Sequence, residues 1–226
     1  MDGEMKELDI LFEDEELVLL HKEAGIAVQT ARTAEKDYVS MLKNYRAEKG
    51  EKPEIFVIHR LDQPVEGILL FAKNAKSAAE LSGQMARGDM EKYYLALVTD
   101  RELPEEATLT DYLLKDSRTN LSRIVPEGTR DAKKAVLRFR KIETDGKLAL
   151  VKIHLLTGRH HQIRAQMAHH GWQVSGDRKY GSIRENAASH PLALCAYRLT
   201  FCHPVTGEKK TFEISPKGEV YRGYRI

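Results

Sequence analysis

The residue types best able to do chemistry are gathered in His59-Arg60-Leu61-Asp62. A carboxylate can attack as a nucleophile or remove a proton, and a guanidinium stacks on bases. These four residues lie between two apolar runs of strand length, Ile55 to Ile58 and Ile68 to Phe71. Such flanks predict a turn at the edge of a sheet, with its polar tip turned to a cleft. Gly67 allows a backbone bend there, and Gln63-Pro64 breaks any helical reading of the loop. Asp62 is therefore expected on a rigid scaffold. By spacing alone, a plain ion pair in the turn is the favoured reading of this arginine and aspartate.

A second stretch with reactive types is Leu156 to Arg164, LTGRHHQIR. Thr157 or Gly158 would start a helix running to His170 and closed by Gly171, with Ile163 and Met167 four residues apart on its buried face. Arg164 neighbours that stripe. The four histidines here, His160, His161, His169 and His170, have no acidic or thiol partner at ligand spacing, so no metal site is expected. Nor does the chain contain a Walker sequence, a G-x-G-x-x-G after a strand, a C-x-x-C or an H-E-x-x-H. No nucleotide cofactor, or any other cofactor, is expected. Cys195 and Cys202 read as free thiols.

Charge narrows the partner. Residues 1–20 hold eight acids against Lys6, a net of −7, which leaves +9 for the rest of a chain whose total is +2. Between Lys115 and Lys141 nine basic residues, Lys133 and Lys134 among them, face three acids. That surplus suits a phosphate backbone, which rewards neutralised charge by counterion release. It also suits a solvated loop and a lysine-protected edge strand. No apolar run approaches the roughly 20 residues of a membrane span. The acidic start, without an apolar stretch, lacks the features of a secretory signal, so a cytoplasmic location is the expectation.

The remaining elements follow from pattern. Ile10 to Phe12 and Leu17 to Leu20 read as strands about an acidic turn. Asp37 caps a helix from Tyr38 to Glu48 with Val39, Leu42 and Tyr45 inward, and Asn74 caps another from Ala75 to Arg87 with Ala78, Leu81 and Met85 inward. Glu91 to Val98 is a strand by its aromatic and branched content, and its adjacent Tyr93 and Tyr94 must point to opposite faces. Pro104 to Thr129 reads as largely irregular apart from Leu109 to Leu114. Lys134 to Ile142 and Leu148 to Leu155 form a hairpin over Asp145-Gly146; Leu192 to Phe201 and Lys209 to Ile214 are further strands, with the loop Ser175 to Gly181 before them. Strands with scattered helices and no regular β-α alternation give an α+β class: a mixed, largely antiparallel sheet with flanking helices and a central cleft. One domain over 1–226 is expected, with residues 1–9 a flexible acidic N-terminus.

The string HRLDQPVEGILLFAKN closely resembles the catalytic signature of the RluA-type pseudouridine synthases, HRLD-x4-G-LLLFAK. Three further segments agree with that family: Lys22-Glu23-Ala24-Gly25 with its K-x-x-G, Lys92-Tyr93-Tyr94 with its K-x-Y strand, and TGRHHQIR…GDRKYG with its TGR-x-HQIR…GD-x-x-YG. The resemblance runs from about Ile10 to Ile214 and departs at His160, where threonine is usual. It implies the pseudouridine synthase fold and the isomerisation of uridine in structured RNA, ribosomal or transfer, by a monomer. It makes Asp62 the catalytic aspartate, pairs Arg164 with it, and puts the family tyrosine at Tyr94, with Tyr93 the one-register alternative. Arg60 would fill the space left by a flipped base, and RNA contacts would come from Arg159, His161, Gln162, Lys133 and Lys134. His59 would either touch phosphate or support the loop from within. Two rivals use the same residues: a non-catalytic RNA-binding protein on this scaffold, and a nucleoside glycosidase with Glu66 as its second acid.

Overall fold

The computed structural model describes residues 8–31, 35–181 and 190–226, so most of the acidic start lies outside the described residues. The chain divides into two compact units, residues 1–90 with 200–214 and residues 91–199 with 215–226.

In the first unit, β1 (Ile10–Glu13) pairs with β2 (Leu17–Lys22), β2 with β4 (Glu66–Ala72), and the short β3 (Phe56–Val57) also with β4, all antiparallel. Every residue of β2 and β4 is buried, which is why Leu17 to Leu20 and Ile68 to Ala72 within them read as unbroken apolar runs rather than alternating ones. Helices α1 (Tyr38–Glu48) and α2 (Ala75–Arg87) start where Asp37 and Asn74 accept the amides of Ser40 and Ser77. Gly88 ends α2 in the left-handed conformation. The buried stripe of α2 is turned from the expected one, consisting of Ser77, Leu81 and Gln84, while Ala78 and Met85 are half-buried. The polar members bury because each has partners: Gln84 exchanges two hydrogen bonds of 2.9 Å with the backbone of Cys202, and Ser77 bonds Glu16. In α1, Tyr45 is half-buried and donates to Glu13, while Arg46 is the buried residue, donating to the Lys73 and Glu54 carbonyls.

The second unit is a sheet in the order β5 (Glu91–Thr99), β9 (Leu148–Leu155), β8 (Lys133–Thr144), β6 (Glu106–Asp116), β7 (Leu121–Val125), its pairs antiparallel, with β10 (Leu194–Cys202) beside β5. The stretch expected to be irregular therefore holds the hairpin β6–β7. Its pattern hid this because only Leu109 and Leu113 of β6 are fully buried. Helix α3 (Gln162–His169) begins later than the sequence suggested. Thr157 Oγ1 instead donates to Gln162 Oε1 and accepts from the Val136 amide, so these residues form a turn before the helix. One face of the sheet is closed by α3, whose Ala165 packs with Leu113, Ala135, Ile124 and Tyr180. Strand β11 (Lys209–Glu213) and a short 3-10 turn at Glu219–Tyr221 complete the described elements. The fold is α+β with a largely antiparallel sheet.

Candidate active site

Asp62 belongs to the first unit, on the loop between β3 and β4, and that loop is fastened from beneath. Lys22, the last residue of β2, is 0% exposed, and its Nζ donates to the carbonyls of Glu23 (2.9 Å), Gln63 (2.9 Å) and Val65 (2.8 Å). The Gly25 amide donates to the Gln63 carbonyl, the Gln63 side chain returns a bond to the Gly25 carbonyl, and the Val65 amide closes on the Asp62 carbonyl. Opposite Lys22 stands Gly67 at φ 142°, a conformation that disfavours a side chain. Burial lowers the Lys22 ammonium to about 7, although Asp62, Glu66 and Glu23 pull the other way. The K-x-x-G segment thus acts as a clamp on the aspartate loop.

Around the clamp, Leu61 is buried, Asp62 half-buried and Arg60 exposed at the tip. His59 is half-buried, and its Nε2 accepts from the Leu70 amide at 3.3 Å. Glu66, the second acid a glycosidase would need, is buried and bonded to His21 Nε2 at 2.8 Å.

The second unit holds the other candidates. Tyr94 is buried and paired with Ile153 in β9, while Tyr93 is half-buried on the opposite face, stacked on His154. Lys92 shares the Tyr94 face and lies near Gly158; burial lowers its ammonium, and the charge of Arg159 adds to this. On α3, Arg164 is 4% exposed and grips Asp177 with both arms of its fork, Nε to Oδ2 and Nη2 to Oδ1, each 2.8 Å. Burial would raise the Asp177 carboxyl, yet Arg164 and the amides of Lys179 and Tyr180 hold it below its usual value. Gly176 leads into Asp177 at φ 77°, where a Cβ would run into the Pro191 carbonyl.

Tyr180 joins this cluster. The Arg164 guanidinium lies 5.3 Å from its ring centroid, and its hydroxyl accepts from the Ser122 amide and bonds His161 Nδ1 at 2.9 Å. His161 precedes α3 at φ 52° and stacks on His160, whose Nδ1 lies 3.0 Å from Ser122 Oγ. Gln162 is buried and saturated, donating to Gln166 and to the Val136 carbonyl while accepting from Thr157 and the Arg159 amide. His161 and Gln162 therefore tie α3 to its sheet, whereas Arg159, Lys133 and Lys134 are exposed, with Arg159 Nε on the Lys134 carbonyl. Nothing in the spacing marked Asp177 as the holder of Arg164; from sequence it reads only as part of the loop Ser175 to Gly181. Among the described residues no group of three or more histidines, cysteines or acids is placed to hold a metal. No helix among them is long and apolar enough to cross a membrane.

A family model described as RNA pseudouridylate synthase matches residues 16–169, a span that includes the Asp62 loop, Tyr94 and Arg164. The chain belongs to the RNA pseudouridylate synthase family. It is accordingly an isomerase that converts uridine to pseudouridine in RNA, and the binding-only and glycosidase readings fall away. Among its relatives is the tRNA pseudouridine synthase C of Vibrio cholerae, 33% identical over 216 residues that cover 88% of this chain and 87% of that one. The ribosomal large subunit pseudouridine synthase C of Vibrio vulnificus is 32% identical over 96% of this chain and 68% of its own. The human RNA pseudouridylate synthase domain-containing 4 structure shares the fold, with a TM-score of 0.76, 20% identity and coverage of 92% of this chain and 88% of that one.

Proposed function

We propose that this pseudouridine synthase modifies a uridine in folded ribosomal or transfer RNA, with Asp62 as the catalytic aspartate. What supports the reading most is the Lys22 clamp. A buried lysine amine making three bonds to carbonyls around one half-buried carboxylate fixes that carboxylate's backbone. Isomerisation breaks the N1–C1′ bond, turns the base and forms C5–C1′; C5 loses its proton and N1 regains one. Neither electrons nor phosphate leave the substrate, so the residues need only supply charge, position and a proton acceptor. Asp62 attacks or removes a proton, Tyr94 accepts the C5 proton, and Arg164 contributes positive charge, its fork held by Asp177.

Access requires the uridine to leave its stack, and Arg60, exposed at the loop tip, fills the gap. Arg159, Lys133 and Lys134 are exposed and meet phosphate. The relatives named for transfer RNA and for the ribosomal large subunit support both RNA classes as substrates. The test is Asp62→Asn on RNA carrying tritium at uridine C5. Tritium release is expected to vanish while RNA affinity changes less than threefold. Turnover that persists in this variant removes Asp62 from the chemistry.

A further inference from the structure

The sheet of the second unit has an open face that the chemistry above does not use. Strand register defines it: Thr108, Arg138, His154 and Tyr93 stand in one row across β6, β8, β9 and β5, and Glu106, Arg140, Lys152 and Leu95 in the next. Arg138 and Arg140 are exposed and alternate with the buried Leu137 and Phe139. Tyr94, one residue from Tyr93, faces the other way. On this open face the Tyr93 ring stacks on His154 with centroids 4.4 Å apart, and Lys152 Nζ and the Arg198 guanidinium lie 5.5 and 5.4 Å from the Tyr93 centroid.

The charge of this face is not neutralised from within. Among the described residues none of Arg138, Arg140, Lys152 and Arg198 has a carboxylate within ion-pair distance, although Glu106 stands opposite Arg140 in register. Arg198 Nε is buried without a hydrogen-bond partner. A sheet face that is merely solvated mixes both signs of charge evenly. Here four cations stand against two acids, Glu91 and Glu106: Lys152 and Arg198 lie over the Tyr93 ring, Arg138 and Arg140 follow on β8, and the ring stacked on Tyr93 is a histidine whose burial, with Arg138 and Lys92, favours its neutral form against the pull of Glu91.

We propose that this face docks the phosphodiester backbone of RNA, as a second contact surface separate from the face that carries Tyr94. Arginines reach successive phosphates, and the Tyr93–His154 pair offers an aromatic edge to an unstacked base. RNA is the polyanion this enzyme already meets, so the complementary charge belongs to regions of the substrate away from the modified uridine. The inference rests on the action on RNA but not on the role of Asp62.

The test is binding of fluorescein-labelled bulk tRNA to the full chain, followed by anisotropy across a salt series. The double reversal Arg138→Glu/Arg140→Glu is expected to raise Kd by at least ~10-fold and to reduce the log–log salt slope by roughly 1.5, the share of two phosphates. Lys43→Glu/Lys76→Glu, exposed on α1 and α2, changes net charge equally and should leave the slope nearly as it was. If the reversal disturbs the strand, the neutral pair Arg138→Gln/Arg140→Gln is expected to give about half the effect. A Kd within threefold of the native value with an unchanged slope, in whichever pair folds, overturns the proposal. Repeating the series in the Asp62→Asn background separates this outcome from any failure of the catalytic assignment.

Discussion

Lys22 offers the sharpest quantitative test. Its ammonium falls from the ordinary 10.5 to about 7 because β2 and the aspartate loop enclose it completely. At about 1.4 kcal/mol per pH unit, that drop corresponds to about 5 kcal/mol of net penalty on the charged form, burial less the pull of Asp62, Glu66 and Glu23. The sign follows from proton counting. Below pH 7 folded and unfolded chains both hold the proton and the penalty is felt in full. Between 7 and 10.5 only the unfolded chain holds it, so stability rises with pH. Lys22→Met keeps the length of the side chain and removes the titration, along with three hydrogen bonds whose loss is a constant offset. Between pH 6 and pH 9 the unfolding free energy of the native chain should therefore gain about 2.5 kcal/mol over that of the variant, measured by urea denaturation. Heteronuclear NMR of the lysine side chains should find the Lys22 Nζ titrating near 7. A difference between the two proteins that stays flat over this range, with every lysine titrating above 9, would refute both the burial argument and the clamp as described.

Two further substitutions probe the second unit. Asp177→Asn leaves the Arg164 guanidinium buried against a neutral amide and should lower stability by about 3–5 kcal/mol; pairing it with Arg164→Met should recover part of the loss. Because the Asp177 carboxyl is lowered in the fold, its stabilisation is complete above the unfolded value near 4 and disappears as pH falls through the lower folded value, so the double variant should lack that part of the acid transition. Tyr94→Phe removes one phenol oxygen and is expected to slow tritium release by ~10²–10⁴-fold, while Tyr93→Phe, on the other face, should not; equal rates in all three proteins would take Tyr94 out of the proton step.

What was legible follows from where each signal resides in the chain. Caps and turns are local, so Asp37, Asn74, Gly88 and the Asp145-Gly146 turn marked helix and hairpin ends directly from sequence. Strands buried on both faces, β2 and β4, were equally plain because Leu17 to Leu20 and Ile68 to Ala72 run without a polar residue, with His21, Lys22 and Glu66 at the strand ends. Hairpin β6–β7 was not, since one of its faces meets solvent and the other packs on α3, 40 residues or more along the chain. Its alternation is diluted by threonines and charges, and only the closed sheet explains it.

The candidate site divides in the same way, and the division bears on mechanism. Asp62 could be read from its neighbours, but the groups that hold it and Arg164 in place are distant in sequence: Lys22 reaches across 41 residues to Gln63 and 43 to Val65, and Asp177 lies 13 beyond Arg164. Both supports are buried titratable groups spent on holding other groups, Asp177 as a carboxylate and Lys22 as an ammonium that gives up its proton at about pH 7. Lys22 satisfies three carbonyls, and Asp177 satisfies one guanidinium and two amides, at a desolvation penalty that apolar side chains would not incur. Apolar packing holds a loop by shape and tolerates small shifts; a saturated buried ion makes each shift break a bond in a medium where broken bonds are expensive. Isomerisation that detaches a base and must reattach it within the same site needs that kind of fixity. The same reasoning distinguishes the open arginine face, where Arg138 and Arg140 are exposed with no carboxylate at ion-pair distance among the described residues and can take their partners from outside the chain.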